Sequence, residues 1–300
     1  LSTVLSVRKT NKIISTMSEE IQSYNYRPIT RSEFELPEDC QIAVWIVINM
    51  EYFEYETPYP ADGSKSVPNV MTYSWREYGS RVGIWRILKI LDKYGVKPMV
   101  ALNSSICDHM PEIVEALVER EIEIIGHGIT NSQRLNGLSP EEERLVIKSC
   151  KDQIEESTGN FPRGWLGPGL SENFSTIDTL IQEEFDYVCD WCNDDHPYFF
   201  ETGSGNIMSM PYSGEINDVS LFTKKNLTGE QFQKTVMDQF EVLYEEGNKL
   251  MPIAIHPYIT GQAFRSKYFE GVIREIKNKE GVWWPSCGEI CDYYKEYRTN

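Results

Sequence analysis

The sequence predicts a single-domain α/β barrel, and three observations point to it. Strand-like and helix-like patterns alternate about seven times along the 300 residues, which implies repeated parallel βαβ units. The strand-like runs are short and continuously apolar, as strands buried on both faces are. The polar residues with chemical potential follow strand ends, where a barrel enzyme builds its site. So many units favour a closed or nearly closed barrel over an open sheet.

The first strand is read at Gln41–Ile48 (QIAVWIVI). Lys97–Leu102, Glu121–Ile125, Gly164–Leu166, Tyr187–Asp190 and Leu250–Ile255 follow, with weaker signals at Met208–Pro211 and Val282–Trp284. Amphipathic helices fall between them. Arg81–Tyr94 places Val82, Trp85, Leu88 and Leu91 or Ile90 on one stripe and stops at Gly95. Pro111–Arg120 is shorter. Ser139–Thr158 opens with Ser139 as N-cap, Pro140 in the first position and Glu142 three residues on. Ser171–Glu184, Thr228–Glu246, Ala263–Lys279 and Ser286–Tyr297 complete the set. Tyr52–Ser80 shows no period, and a loop that long is either a lid or substrate wall or an oligomer contact.

No repeat, linker or shift in composition divides the chain, so residues 31–300 are read as one barrel domain behind a flexible tail at residues 1–30. Residues 1–18 hold Arg8, Lys9 and Lys12 and no acid, a composition shared by organelle presequences and by a plain tail upstream of a start at Met17. The formal charge is -17, with no basic run, which argues against nucleic-acid and anionic-membrane partners. No apolar stretch reaches the roughly 18–20 residues of a membrane span. Seven cysteines are odd in number and widely spaced. Cys189 and Cys192, with Cys287 and Cys291, allow a zinc reading. Buried free thiols in a reducing, cytoplasmic compartment are the better one.

The strand-end residues form an ordered pattern: Asn49-Met50-Glu51-Tyr52-Phe53-Glu54, Arg76-Glu77-Tyr78-Gly79-Ser80-Arg81, Gly126-His127-Gly128-Ile129-Thr130-Asn131, Arg163-Gly164-Trp165, Asp190-Trp191-Cys192-Asn193-Asp194-Asp195-His196-Pro197-Tyr198, and Ile255-His256-Pro257. The pattern resembles the polysaccharide deacetylase (NodB-homology) superfamily, closest to its metal-independent allantoinase and cyclic imide hydrolase branch, over roughly residues 40–295. The resemblance implies a NodB-like deformed (β/α)7-8 barrel and a hydrolase of non-peptide C–N bonds. Metal-dependent members carry an Asp pair after the first strand and two His after the third. Here Glu51 falls at the base position, the metal-binding Asp matches only Tyr52 or Phe53, and the second His is Asn131. A catalytic zinc needs about three protein ligands, so the expectation is no metal, or at most a weak divalent ion at His127.

No G-x-S-x-G elbow is present, so the nucleophile is read as water. Glu51 is the expected base, its pKa raised by burial and lowered by Arg163. His256 is the expected acid for the leaving nitrogen, and His127 with Asn131 the expected oxyanion donors. Arg81, Arg163, Trp165, Asp190 and Asp194 are expected to bind substrate, Arg81 holding an anionic or carbonyl-rich group; Arg163 and Asp190 also read as a structural pair. His196 and His109 read as loop residues. The expected partner is a small amide, imide or ureide, with a homo-oligomer as the assembly. The alternatives are a metal-dependent N-acetyl-sugar deacetylase and a catalytically dead barrel that binds a small molecule.

Overall fold

A computed structural model describes residues 34–57 and 67–299. The tail expected at residues 1–30 lies outside them. β1 (Ile42–Met50) is the axis of the sheet. It pairs in parallel with β2 (Met99–Leu102) on one side and with β8 (Lys249–Ile255) on the other. β3 (Glu123–Gly126), β4 (Gly164–Trp165) and β5 (Tyr187–Val188) extend the β2 side in order. A hairpin of β6 (Tyr198–Thr202) and β7 (Gly205–Ser209) follows, β7 running parallel to β5. β9 (Val282–Trp283) touches the start of β1. The barrel is closed against β8 by point contacts rather than a ladder. Leu250 N donates to the Asp195 carbonyl (3.0 Å) and Ala254 N to that of Ile216 (3.1 Å).

All nine residues of β1 are buried, and their alternation decides the layers. Ile42, Val44, Ile46 and Ile48 pack outward on the helices, whereas Ala43, Trp45 and Val47 fill the barrel interior with Met99, Ala101, Ile125, Met208 and Leu250. A strand apolar at both parities can only sit between two apolar layers. The closing helix α9 (Cys287–Thr299) packs Cys287, Ile290 and Cys291 on the interior cluster beside Cys189. All seven cysteines are free, and no metal-holding group of His, Cys, Asp or Glu is found among the described residues. The buried-thiol reading fails for Cys192, which is exposed, and Cys40, which is half-buried.

The helical layer departs from expectation in three places, most of all before Arg81. The supposed loop before Arg81 contains α1 (Val70–Tyr78), capped by the Asn69 side chain, which accepts from Thr72 N at 3.1 Å. A π turn at Gly79–Gly83 joins it to α2 (Ile84–Tyr94). The turn's wider spacing rotates the face that follows. Ile84, Ile87, Leu88 and Leu91 are therefore buried, while Val82 and Trp85 are exposed at 38% and 39%. Gly95 ends α2 at φ 60°, as its sequence position predicts. α3 (Ser105–His109) was not expected, and His109 ends it with its ring stacked on Tyr52. α4 (Pro111–Glu119) and α5 (Pro140–Thr158) follow, α5 with the full Ser139–Glu142 capping box. α6 is shorter than expected (Thr176–Gln182), and α7 (Gly229–Glu246) and α8 (Ala263–Lys277) match.

The π turn is a docking feature. A Cβ on Gly79 would lie 2.6 Å from Tyr258 N, and one on Gly83 would lie 2.0 Å from the Pro257 carbonyl. The E-Y-G-S-R segment thus brings backbone against the loop that carries His256. Gly83→Ala should destabilise the fold by about 1–3 kcal/mol, the usual cost of overpacking, measured by denaturant unfolding. An unchanged midpoint would show that the contact is slack.

Candidate active site

Strand ends deliver the chemistry. Glu51 follows β1, His127 follows β3 and His256 follows β8; β8 adjoins β1, β3 is separated from it by β2, and the three residues meet at one mouth. Glu51 Oε1 lies 3.8 Å from His127 Nε2 and 3.5 Å from His256 Nε2, and its side chain is only 7% exposed. The Asn131 amide donates to the same oxygen at 2.5 Å. Asn103, wholly buried after β2, ties these loops together. Its Oδ1 accepts from Tyr52 N (2.8 Å) and its amide donates to the His127 carbonyl.

Asp218 was not anticipated and is central. It precedes a π-helical segment at Val219–Lys224 and is fully buried. Its carboxylate accepts from His256 Nδ1 (2.6 Å), His256 N (2.8 Å) and Thr260 Oγ1 (2.6 Å). Burial alone would lower the pKa of His256, but the charges of Asp218 and Glu51 outweigh it and raise the ring to about 10. For Glu51, burial pushes upward, but His256 and His127 overcome it and hold the carboxyl at about 2. At neutral pH the arrangement is therefore carboxylate, imidazolium, carboxylate. Nothing in the sequence near Asp218 marks it; only the need of a buried imidazolium for a counter-charge points there.

His127 is set differently. Its Nδ1 lies 2.5 Å from the Leu166 carbonyl. A carbonyl only accepts, so Nδ1 carries a proton. Nε2 then faces the cavity, 3.8 Å from Glu51 Oε1. Asn131 has one of its two amide N–H donors engaged with Glu51. Glu51 Oε2, His127 Nε2 and Asn131 Oδ1 are buried without hydrogen-bond partners among the described residues. Orphan polar atoms gathered at one cavity mark where a ligand would bond.

That cavity has a volume of about 280 Å³ and is lined by Glu51, His127, Asn131, Arg134, Tyr212 and His256 among others. A second, of about 700 Å³, follows the seam beside β8 and includes Asp194 and Asp195; Tyr212, Gly214, Ser220 and Lys224 line both. On the other flank Tyr52, Phe53, Tyr73 and Arg76 form a small pocket with Glu51, so the Tyr52–Ser80 segment supplies a wall of the site. Arg76 is buried with its guanidinium 4.3 Å from the Phe53 ring centre.

Several expected site residues lie elsewhere. Arg81 is 71% exposed in its side chain and pairs with Glu77 at 3.5 Å, because the π turn aims glycines, not Arg81, at the His256 loop. Arg163 sits before β4, at the opposite end of the barrel, bonded to Asp186 (2.7 Å) and Asp292 (2.6 Å). It therefore neither acts on Glu51 nor pairs with Asp190. Trp165 is wholly buried in the outer core against Gly126. Asp190 is at the right end but supports the wall: its Oδ1 accepts from Gly167 N at 2.7 Å, and Gly167 lines the cavity. Burial and the neighbouring Glu172 raise Asp190 well above the carboxylate range, and burial raises Glu172 to about 7. Asp194 lines only the second cavity and accepts from His196 N. His196 is structural, its Nε2 on the Asn248 carbonyl at 2.6 Å.

The donor set does not fit a catalytic zinc. His256 is tied by Nδ1 to Asp218 and raised to about 10, and an imidazolium cannot ligate. Asn131 occupies the second histidine's place and is engaged with Glu51, and Tyr52 is stacked on His109. Glu51 and His127 remain, which is fewer than the three protein ligands that such a site needs.

The chain is similar in sequence and in fold to several known proteins. The polysaccharide deacetylase family model matches residues 72–188. A Schizosaccharomyces pombe protein assigned as a polysaccharide deacetylase is 29% identical over 287 residues, covering 82% of this chain and 88% of that one. Among solved structures, the probable polysaccharide deacetylase of Pseudomonas aeruginosa PAO1 superposes with a TM-score of 0.80 at 26% identity, over 91% of this chain and 98% of that one. PuuE allantoinase also gives 0.80, at 25% identity over 91% of this chain and 97% of its own. In sequence and in fold the chain is thus similar to proteins of the polysaccharide deacetylase family and to PuuE allantoinase.

Proposed function

We propose that this chain, a hydrolase of non-peptide carbon–nitrogen bonds, opens a small amide, cyclic imide or ureide by metal-free attack of water. One observation carries the reading: an ionised Glu51 and an imidazolium His256, 3.5 Å apart and backed by Asp218, face one cavity. A base already deprotonated and an acid already protonated are the pair that amide hydrolysis needs.

Water bound between Glu51 Oε2 and His127 Nε2 loses its proton to Glu51 as its oxygen attacks the carbonyl carbon. Glu51 is a weak base while paired with His256. A substrate that enters between them separates the ion pair and strengthens it. The imidazolium meets the negative charge that develops, then gives its Nε2 proton to the departing nitrogen as the C–N bond breaks. Asn131 holds Glu51 in place, and Asp190 anchors the Gly167 wall. No helix among the described residues is long and apolar enough to cross a membrane.

The test is hydrolysis of allantoin, succinimide and an N-acetyl-chito-oligosaccharide by protein purified without chelator. Turnover of the small ring compounds, unchanged by chelator and with well under one metal ion per chain, is the expected result. Turnover of the oligosaccharide alone, lost on chelation, would replace this reading with a metal-dependent deacetylase. Exposed Val70 and Met71, at 58% and 79%, also suit the proposed homo-oligomer, which light scattering should report as a particle larger than one chain.

A further inference from the structure

The cavity over Glu51 carries an excess of positive charge. Its charged lining residues are Glu51, Arg134, Lys224 and His256, with Asp218 directly behind His256. The two carboxylates balance the imidazolium and one further cation, leaving one positive charge in a chain whose formal charge is -17. Clefts with a local excess of one sign concentrate ligands of the other.

Arg134 is the cation built into the site. It lies on the loop between β3 and α5, and its Nη1 is buried without a hydrogen-bond partner among the described residues. The guanidinium rests on Gly169, where φ is 64° and a Cβ would fall 1.5 Å from Nη1. Only glycine leaves that space. The two loops are also cross-bonded: Leu135 N donates to Ser171 Oγ at 3.2 Å, and the Asn173 amide donates to the Leu135 carbonyl at 2.8 Å. Nη1 is thus held at the cavity wall. A desolvated, unpaired guanidinium donor is costly, and an anionic acceptor offsets the cost better than a neutral one.

We propose that Arg134 selects substrates carrying a carboxylate, so that the substrate class is a small acid bearing an amide, imide or ureide, its carboxylate on Arg134 and its carbonyl between Glu51 and His256. Lys224, exposed across the cavity, adds a weaker attraction screened by solvent. This inference rests on the hydrolase reading above.

Succinamate and succinamide test it, since they match in length and differ by a carboxylate for an amide. In the wild type, kcat/KM for ammonia release should favour succinamate by roughly 10–100-fold, mainly through KM. Arg134→Met should lose that preference, and Arg134→Lys should keep part of it. Calorimetric binding to Glu51→Gln gives a readout without turnover: succinamate should bind more tightly, and the added Arg134→Met should level the two. Equal or undetectable binding of both probes to Glu51→Gln, or a preference that survives Arg134→Met, would overturn the proposal. Selective binding without turnover of either probe would uphold it and sink the hydrolase reading. Equal turnover of both probes would do the reverse.

Discussion

Glu51→Gln should lower kcat by roughly 10²–10⁴, the range for loss of a general base, while substrate affinity stays close to that of the wild type. The amide keeps the shape of the carboxylate but cannot take a proton. It also leaves His127 and His256 without the shared negative charge that they approach at 3.8 and 3.5 Å. The His256 ring should then titrate below its wild-type value of about 10, since Glu51 is one of the two charges that raise it. Steady-state kinetics with NMR titration of the imidazole would check both parts. A Glu51→Gln enzyme of wild-type rate would remove Glu51 from the chemistry.

The second large effect concerns pH. Glu51 is deprotonated above about 2 and His256 stays protonated up to about 10, so kcat/KM should be level through neutrality and fall on the alkaline side. The sign follows from the role: an acid fails when it loses its proton. Asp218→Asn removes the first charge that raises His256 and leaves Glu51 alone against burial, which lowers it. The alkaline limb should therefore move to lower pH, toward the ordinary histidine value of about 6.5. At pH 8 the variant should lose roughly 10–100-fold in kcat and recover much of it at lower pH. Such limbs report the coupled Glu51–His256–Asp218 group rather than one residue. An alkaline limb unmoved by Asp218→Asn would mean that the ring is not the group titrating. His256→Ala should cost most with poor leaving nitrogens and least with activated anilides; equal losses would assign the ring to binding.

What the sequence made legible were the parts set by local rules. Apolar runs placed the strands, the Ser139–Glu142 box and Gly95 placed helix ends, and the strand-end rule placed Glu51, His127 and His256. It misled where a side chain's aim depends on distant geometry. Arg81 lies in the right motif, but the π turn faces it to solvent. Arg163 and Trp165 flank the right strand from its wrong end and its core side. The missed residues are those whose partners are remote. Asp218 meets His256 across 38 residues. Arg134 gains its meaning only from the loop at Gly169. No periodicity or motif encodes either meeting.

The pairing of β1 with β8 also bears on when the protein can act during its own synthesis. Residues 42–48 find their partners at 249–255, so the central ladder joins two segments some two hundred positions apart. Contacts that distant form late, because a long loop must close before they stabilise anything. Glu51 leaves the ribosome about two hundred residues ahead of His256, which follows β8. A chain that stops before β8 would hold Glu51 without His256 and β1 without one of its two principal neighbours. The site is thereby tied to the synthesis of β8.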